Sequence, residues 1–328
     1  MLRRFAVIPA ALIVLVAFAA GPVAAAAGGA AAAHGPLGMV NPYARAGHGP
    51  PKHTNNLTYH GGPVMHANRV YTIFWGPSNS WDNLYVDTIN RYFQDVANDS
   101  TQNLNTNVYW SDTQYTGSTG SVNYDVTFGG SYADTTAYPA SGCRDKATPK
   151  YCLTDAQLQA EIQADMKTNG WTATGSTGTT DSIQNIFFIF TPQGVGSCAG
   201  SSCAYTTYCA YHNWIGSGNN AVLYANMPYA NQNYRIYTCN SGQWPNGVSA
   251  DATVNLVSHE HNETITDEQG NAWYDSSGAE NGDKCAWNFG SATGSSNGGL
   301  YNQTINGYNY YLQQEWSNQS SGCVLTGL

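Results

Sequence analysis

The segment His259-Glu-His-Asn-Glu263 combines residue types that bind a metal ion and activate water. On a helix, positions i and i+4 lie one above the other, so His259 and Glu263 can bind one ion from the same face. Glu260 lies about 100° further round the helix, where it can act as general base without being a ligand. Because zinc accepts imidazole nitrogen and carboxylate oxygen, this HExxE pattern predicts a zinc site.

Acidic residues after the motif supply candidates for a third ligand. Glu280 and Asp283 lie 17 and 20 residues beyond Glu263, and either can complete the site with water in the fourth position. A carboxylate in place of a second histidine makes the site harder and more anionic, which shifts preference toward manganese or calcium. The alternative is a helix whose His and Glu residues bind no metal.

Two further histidines and one loop are weaker candidates. His261 is two residues beyond His259, on another helix face, and is interpreted as a non-ligand. His212 is a second candidate for a ligand or substrate contact, and a purely structural hydrogen-bonding role is its alternative. The acidic loop 267–271 is a less favoured calcium site, because it lacks the ligand spacing of an EF-hand.

Hydrophobic periodicity indicates the elements that must position these residues. It predicts helices over 85–97, 154–168 and 249–266, and strands over 70–75, 122–128, 183–190, 205–215 and 221–225. Thr154 and Gln157 form a capping box at the start of the second helix, and Gly170 ends it. Because strands and helices do not alternate strictly, we expect one α+β domain over 57–328, with a mixed sheet and a few helices. The HExxE motif on a helix that follows a strong strand and a hairpin makes the expected domain zincin-like.

The N-terminus has the pattern of an export signal. Arg3 and Arg4 precede an apolar run over 5–20, and small residues over 23–26 offer cleavage positions. We therefore predict a signal peptide over 1–26 and a disordered leader rich in Ala, Gly and Pro over 27–56. No later apolar run is long enough for a membrane span, so we expect a secreted protein with no stable membrane insertion.

All eight cysteines follow the predicted signal peptide. An even number in an exported chain favours disulfides over free thiols. The expected pairing joins neighbours in sequence: Cys143–Cys152, Cys198–Cys203, Cys209–Cys239 and Cys285–Cys323.

Composition narrows the functional classes. Charged residues make up 10% of the 328 residues, the formal net charge is −9, and there is no basic tract. A protein that binds nucleic acid through phosphate contacts needs clustered positive charge, so we expect no nucleic-acid partner. The hydrophobic content of 42% is sufficient for a folded core.

Two blocks of sequence resemble the EXORDIUM-like, phosphate-induced protein family. The first comprises Tyr59-His-Gly-Gly-Pro-Val-Met65 and Val70-Tyr-Thr-Ile-Phe-Trp75. The second comprises His259, Glu260, Glu263, Thr266, Asp267, Ala272, Trp273, Tyr274, Gly278, Glu280, Asp283, Cys285, Trp316, Ser317 and Cys323. The resemblance spans roughly 57–328. The chain departs from the family pattern at Glu268, where the family often has proline.

The resemblance implies an extracellular or cell-wall location. No enzymatic activity defines this family, but members with an intact HExxE look like metallopeptidases. The leading hypothesis is thus a secreted metal-dependent hydrolase, a metallopeptidase acting on extracellular protein, peptide or cell-wall substrates. In it, His259 and Glu263 bind zinc, Glu280 or Asp283 is the third ligand, and Glu260 is the base. The rival is a non-catalytic extracellular protein that binds glycan or a protein partner, with a structural calcium or no metal.

Overall fold

A five-stranded mixed sheet forms the centre of the molecule. The computed structural model describes residues 37–38, 43–44, 55–118, 120–147, 149–174, 185–230, 233–234 and 237–326. The sheet strands are β1 (Asn68–Trp75), β2 (Val126–Asp134), β3 (Asn185–Thr191), β4 (Tyr211–Ile215) and β5 (Val222–Pro228). Their order is β4-β5-β3-β1-β2, and only the β4–β5 pair is antiparallel.

Helices cover both faces of this sheet. The helices are α1 (Asn83–Thr101), α2 (Asp155–Asn169) and α3 (Ala250–Thr266). On β3, the Phe188 ring contacts Phe93 of α1 and His261 of α3, whereas the adjacent Phe187 contacts Trp171, just after α2. Because both faces are covered, β3 is buried throughout and its sequence is continuously apolar between Asn185 and Thr191. The predicted mixed α+β organisation is therefore confirmed.

Local capping residues determine where the helices begin and end. The predicted capping box of α2 is present: Thr154 Oγ1 accepts from the Gln157 backbone, and Gln157 Oε1 accepts from the Thr154 backbone. Gly170 ends this helix in the left-handed conformation, with φ 67°. At the start of α3, the Ser249 side chain makes no capping hydrogen bond. Asp251 instead accepts hydrogen bonds from the backbone N–H groups of Asn246 and Val248.

The predicted strand over 122–128 is wrong in its position. Val122 and Tyr124 are buried, but they precede β2. Val122 donates its backbone N–H to Tyr115, and the Tyr124 hydroxyl donates to the Val96 carbonyl. The alternating apolar residues therefore reflect burial of individual side chains against α1 and the preceding turn, without pairing in the sheet.

The remaining elements of regular secondary structure are short strands and 3-10 helices. The short strands are Tyr43–Ala44, Thr58–Tyr59, Thr116–Gly117, Gly120–Ser121, Tyr151–Thr154, Val195–Ala199, Ser202–Cys203, Asn233–Tyr234, Tyr237–Thr238, Trp273–Tyr274, Gly294–Ser296, Gly299–Tyr301, Gln303–Ile305, Tyr308–Tyr310, Glu315–Ser317 and Gly322–Val324. The 3-10 helices are Val108–Gln114, Gly218–Asn220 and Asp283–Cys285. The four disulfides have the predicted pairing of sequence neighbours.

Before residue 55, the structure describes only residues 37–38 and 43–44. The predicted signal peptide over 1–26 lies outside the described residues. In the segment interpreted as a disordered leader, Leu37 forms a bridge with His212 of β4, and Tyr43–Ala44 pairs antiparallel with Tyr237–Thr238. In the part of the chain that the structure describes, no helix is both long enough and apolar enough to cross a membrane.

A second group of acids lies at the end of β2, beside α2. Carboxylate oxygens of Asp134, Glu161 and Asp165 lie within 4.8 Å of one another, and Asp165 is 3% exposed. Burial, together with the charges of Asp134 and Glu161, raises the pKa of Asp165 to about 8. The folded state therefore holds a proton on Asp165 that the unfolded chain releases near its usual pKa of 3.8.

We predict that Asp165→Asn weakens the pH dependence of stability. A raised carboxyl pKa costs nothing below the unfolded pKa, and its cost grows as pH rises toward the folded pKa. In the parent protein, the free energy of unfolding should fall by on the order of 1–3 kcal/mol between about pH 5 and about pH 8 because of this residue. Urea denaturation across this range measures the slope. Asp125→Asn, at an exposed carboxylate, is the control, and equal slopes in all three proteins would contradict the prediction.

Candidate metal centre

Helix α3 presents the HExxE residues inside the protein. Every residue from Ala250 to Thr266 is buried, and His259, Glu260 and Glu263 are each 0% exposed. His259 Nε2 lies 3.0 Å from Glu263 Oε1, one helical turn along. Despite this distance, His259 Nε2 has no hydrogen-bond partner among the described residues, so the pair is close without hydrogen-bond geometry. A shared cation fits this arrangement of two ligand atoms.

His212 enters the same site from the edge strand β4. The preceding Tyr211 points to the opposite face and donates its hydroxyl to Asp155 of α2, so strand alternation places His212 toward α3. His212 Nδ1 lies 3.2 Å from Glu260 Oε2 and 3.5 Å from Glu263 Oε2. While Glu260 is ionised it can only accept, so the proton is on Nδ1 and the Nε2 lone pair faces the site. His212 Nε2 has no hydrogen-bond partner among the described residues.

The chain after α3 folds back over the helix and supplies two more acids. Asp267 Oδ1 accepts from the backbone N–H groups of Asn271 and Ala272, which closes the turn. Further on, the Asp283 backbone N–H donates to Glu263 Oε1 at 2.8 Å. Between Glu280 and Asp283, a Cβ on Gly282 would lie 2.8 Å from His259 Nδ1, so glycine allows this close approach.

The four predicted ligands and His212 form two overlapping groups. His212, Glu263 and Glu280 make one group, and His259, Glu263 and Asp283 make the other, with ligand atoms within 4.8 Å in each. His212 Nε2 lies 3.7 Å from Glu280 Oε1, and His259 Nε2 lies 3.8 Å from Asp283 Oδ1. Glu263 belongs to both groups. The two candidates for the third ligand, Glu280 and Asp283, thus belong to different groups that share Glu263.

Negative charge is concentrated here without basic residues to balance it. Among the described residues, the only Lys or Arg salt bridge is Lys284–Asp275. Burial, joined by the charge of Glu263, raises the pKa of Glu280 well above its usual range. The same effects raise the pKa of Asp283 to about 7. Burial also raises the pKa of Glu260 well above its usual range, although the charge of His259 opposes this.

Protons and one ion pair balance part of this charge in the protein without a metal. Burial lowers the pKa of His259, but the charge of Glu263 and their close contact outweigh burial and raise it to about 9. The charge of His259 and contacts with His212 lower the pKa of Glu263 to about 2, against the opposing effect of burial. The site therefore forms a buried imidazolium–carboxylate pair beside carboxylic acids, and a divalent cation would replace these protons.

Unpartnered atoms support the fit to a cation. Five ligand-type atoms in the site are buried and have no hydrogen-bond partner among the described residues: His212 Nε2, His259 Nε2, Glu260 Oε1, Glu263 Oε2 and Glu280 Oε1. Leaving buried polar atoms unpaired is costly, and ion coordination is one way to satisfy them. The donor set of imidazole nitrogen and carboxylate oxygen suits zinc and also manganese.

Gln313 contacts Nδ1 of His259, the ring nitrogen that does not face Glu263. Its side-chain amide contacts His259 Nδ1 at 2.6 Å and donates to the Gly282 carbonyl at 3.0 Å. A histidine that binds a metal through Nε2 carries its proton on Nδ1. Metal binding by His259 through Nε2 therefore requires the Gln313 amide to turn its oxygen toward the ring.

The remaining candidates lie outside the centre or have another role. His261 is hydrogen-bonded to Asn68 Oδ1 and to the Tyr109 hydroxyl, and burial lowers its pKa to about 3. It is a neutral core residue, which agrees with its interpretation as a non-ligand. The loop 267–271, considered for calcium, contributes no member to the groups of three potential ligands in the described structure.

The role of His212 and Gln313 in the site was not evident from the sequence. His212 was only a second candidate, because its approach to α3 depends on pairing between distant segments. The alternation of Tyr211 and His212 in a predicted hairpin was the one available signal. Gln313 lies 54 residues beyond His259 and outside any periodic pattern.

Comparison with models of known families, with curated proteins and with solved structures gives no match. The arguments for function therefore rest on the site itself.

We predict that the protein binds a divalent cation at this centre and that Glu263→Gln abolishes this binding. Glu263 belongs to both ligand groups, so its loss should remove one metal equivalent per chain. Elemental mass spectrometry after dialysis against zinc measures the stoichiometry. Glu280→Gln and Asp283→Asn show which group is used, and Asp87→Asn, at an exposed residue of α1, is the control. Equal metal content in the parent and Glu263→Gln proteins would contradict the assignment.

Proposed function

We propose that this protein is an exported metal-dependent hydrolase, most consistent with a metallopeptidase. The observation that carries the proposal is the convergence of His212, His259 and Glu263 with two further acids in one buried site. One ligand-type atom on each of His212, His259, Glu263 and Glu280 has no hydrogen-bond partner among the described residues. A structural cluster would be expected to pair these groups with donors or basic residues.

The residues of the candidate metal centre have distinct roles in the proposed reaction. A bound zinc ion supplies Lewis-acid polarisation and lowers the pKa of water. His259 and Glu263 hold the metal from α3, with Glu280 or Asp283 and His212 as the further candidate ligands. Glu260 accepts a proton at Oε1, which has no hydrogen-bond partner among the described residues, while His212 orients its Oε2. Burial raises the pKa of Glu260, and the positive charge of a bound cation would oppose that rise, so the carboxyl could both accept the proton and pass it to a leaving group.

The fold and covalent structure support the remaining parts of the proposal. A mixed sheet with an antiparallel edge strand beside the HExxE helix is consistent with a zincin-like fold. Four disulfides are consistent with an oxidising, extracellular location. The resemblance to the EXORDIUM-like family implies the same location. The proposed substrates are extracellular proteins or peptides, or cell-wall material.

A second candidate function is supported by the complete burial of the motif. With His259, Glu260 and Glu263 all 0% exposed, a bound cation would serve mainly to hold α3 against the following chain. The protein would then be a non-catalytic extracellular module that binds glycan or a protein partner. A structural calcium or another ion would stabilise it.

We predict that Glu260→Gln separates catalysis from metal binding. The substitution removes the base but keeps the shape and the metal ligands, so kcat should fall by at least about 100-fold. Hydrolysis of a quenched-fluorescent peptide library by the zinc-loaded protein measures this, with metal content determined in parallel. Asp87→Asn is again the control. Hydrolysis at equal and measurable rates by the parent and Glu260→Gln proteins would exclude Glu260 as the base.

A further inference from the structure

The free edge of β4 is covered by the chain's own leader. The Leu37 backbone N–H donates to the His212 carbonyl at 3.0 Å, and the His212 N–H donates to the Leu37 carbonyl at 3.2 Å. The pair is antiparallel. Leu37 thus occupies the position of an added strand at the one sheet edge that borders the candidate metal centre.

The next residue closes over the centre itself. Gly38 is buried, and its backbone has φ +51°. A Cβ on this residue would overlap Glu263 Oε2 and would lie 2.6 Å from His212 Nδ1. Only glycine allows the leader backbone to pass so close to both residues.

The Leu37 side chain has a recess prepared for it. A Cβ on Gly270, in the turn after α3, would lie 2.7 Å from Leu37 Cδ1. The absence of a side chain at Gly270, where φ is +66°, gives the leucine side chain its space. The contact is therefore specific, with two backbone hydrogen bonds, one seated apolar residue and one glycine against the centre.

These are the features by which proteins bind extended peptides at a sheet edge: backbone pairing supplies affinity, and side-chain recesses supply specificity. We propose that the groove between β4 and the turn at Gly270 is a peptide-binding site for an apolar residue followed by a glycine, and that Leu37–Gly38 occupies it as a substrate-like inhibitor. As a statement about catalysis, this rests on the proposed function. The peptide-binding part stands on the geometry alone.

Because Leu37–Gly38 is covalently attached to the rest of the chain, it occupies the groove in preference to a free peptide. A tethered segment has an effective concentration on the order of millimolar, which a dilute external peptide cannot overcome. The pairing of Tyr43–Ala44 with Tyr237–Thr238 provides a second attachment a few residues along. The site therefore opens when the leader is cut and leaves, or when Leu37–Gly38 is displaced.

The first test uses one added methyl group, at residue 38, to displace the leader from the groove. Gly38→Ala should force it from the groove, whereas Gly200→Ala is the matched control, because Gly200 has φ +60° and a Cβ there meets nothing within 4 Å. Amide hydrogen exchange at His212 should accelerate at least about tenfold in Gly38→Ala, since its acceptor is lost. A labelled synthetic peptide of residues 34–42 should bind Gly38→Ala, but neither the parent nor Gly200→Ala.

The second test removes the leader after folding is complete. A site-specific protease sequence placed within 45–54 of the full chain allows the folded protein to be cut. After cutting and gel filtration, the labelled peptide should bind in the presence of a chelator. The same peptide with alanine in place of Gly38 should bind at least about tenfold more weakly. Unchanged His212 exchange in Gly38→Ala, together with no peptide binding by the cut protein, would overturn the proposal.

Activity measurements separate this inference from the proposed function. If cutting the leader raises the rate of hydrolysis by the zinc-loaded protein at least about tenfold, the inhibitory role of Leu37–Gly38 and the proposed hydrolase function are both supported. Peptide binding on cutting without any hydrolysis supports the groove and contradicts the hydrolase. Full hydrolysis by the intact chain, unchanged on cutting, overturns the inhibitory role of Leu37–Gly38.

Discussion

Buried negative charge without matching basic residues is the constraint on which the centre of this molecule depends. Glu260, Glu263, Glu280 and Glu315 are each 3% exposed or less, and none has a lysine or arginine salt bridge among the described residues. Burying ionised groups in this way is costly unless a cation or protons neutralise them. The raised pKa values of Glu260, Glu280, Glu315 and His259 indicate protons in that role, whereas Glu263 is ionised beside His259. A divalent cation would neutralise the same charge with fewer bound protons and would satisfy the unpartnered ligand atoms.

The surrounding fold keeps these groups together. Helix α3 is buried although it carries many polar residues, and those outside the centre make hydrogen bonds. The Asn262 and Thr264 side chains donate to helix carbonyls one turn back, and Asn255 accepts from the Gln313 backbone. Three of the five unpartnered polar atoms of α3 belong to His259, Glu260 and Glu263. Helix α3 thus supports the centre, where most of its unpartnered polar atoms lie.

Sequence patterns predicted the features that depend on local chemistry. The limits of α2 follow from Thr154, Gln157 and Gly170, and the i, i+4 spacing of His259 and Glu263 follows from helix geometry. The disulfide pairs were also predicted, as pairs of cysteines that follow one another in the sequence. Features that depend on distant pairing were not predictable: the position of β2, the approach of His212 to α3, and the place of Leu37 beside it. Glu280 and Asp283 could not be ranked, since each lies close to Glu263 together with a different histidine.

The most direct test of the central claim is the location of the metal in crystals of the zinc-loaded protein. An anomalous difference map at the zinc absorption edge identifies the ion independently of any assumed ligands. The account predicts a peak about 2.0–2.2 Å from a Glu263 carboxylate oxygen and from a ring nitrogen of His259 or His212. The absence of a peak at Glu263, or a peak confined to the acids Asp134, Glu161 and Asp165, would contradict it.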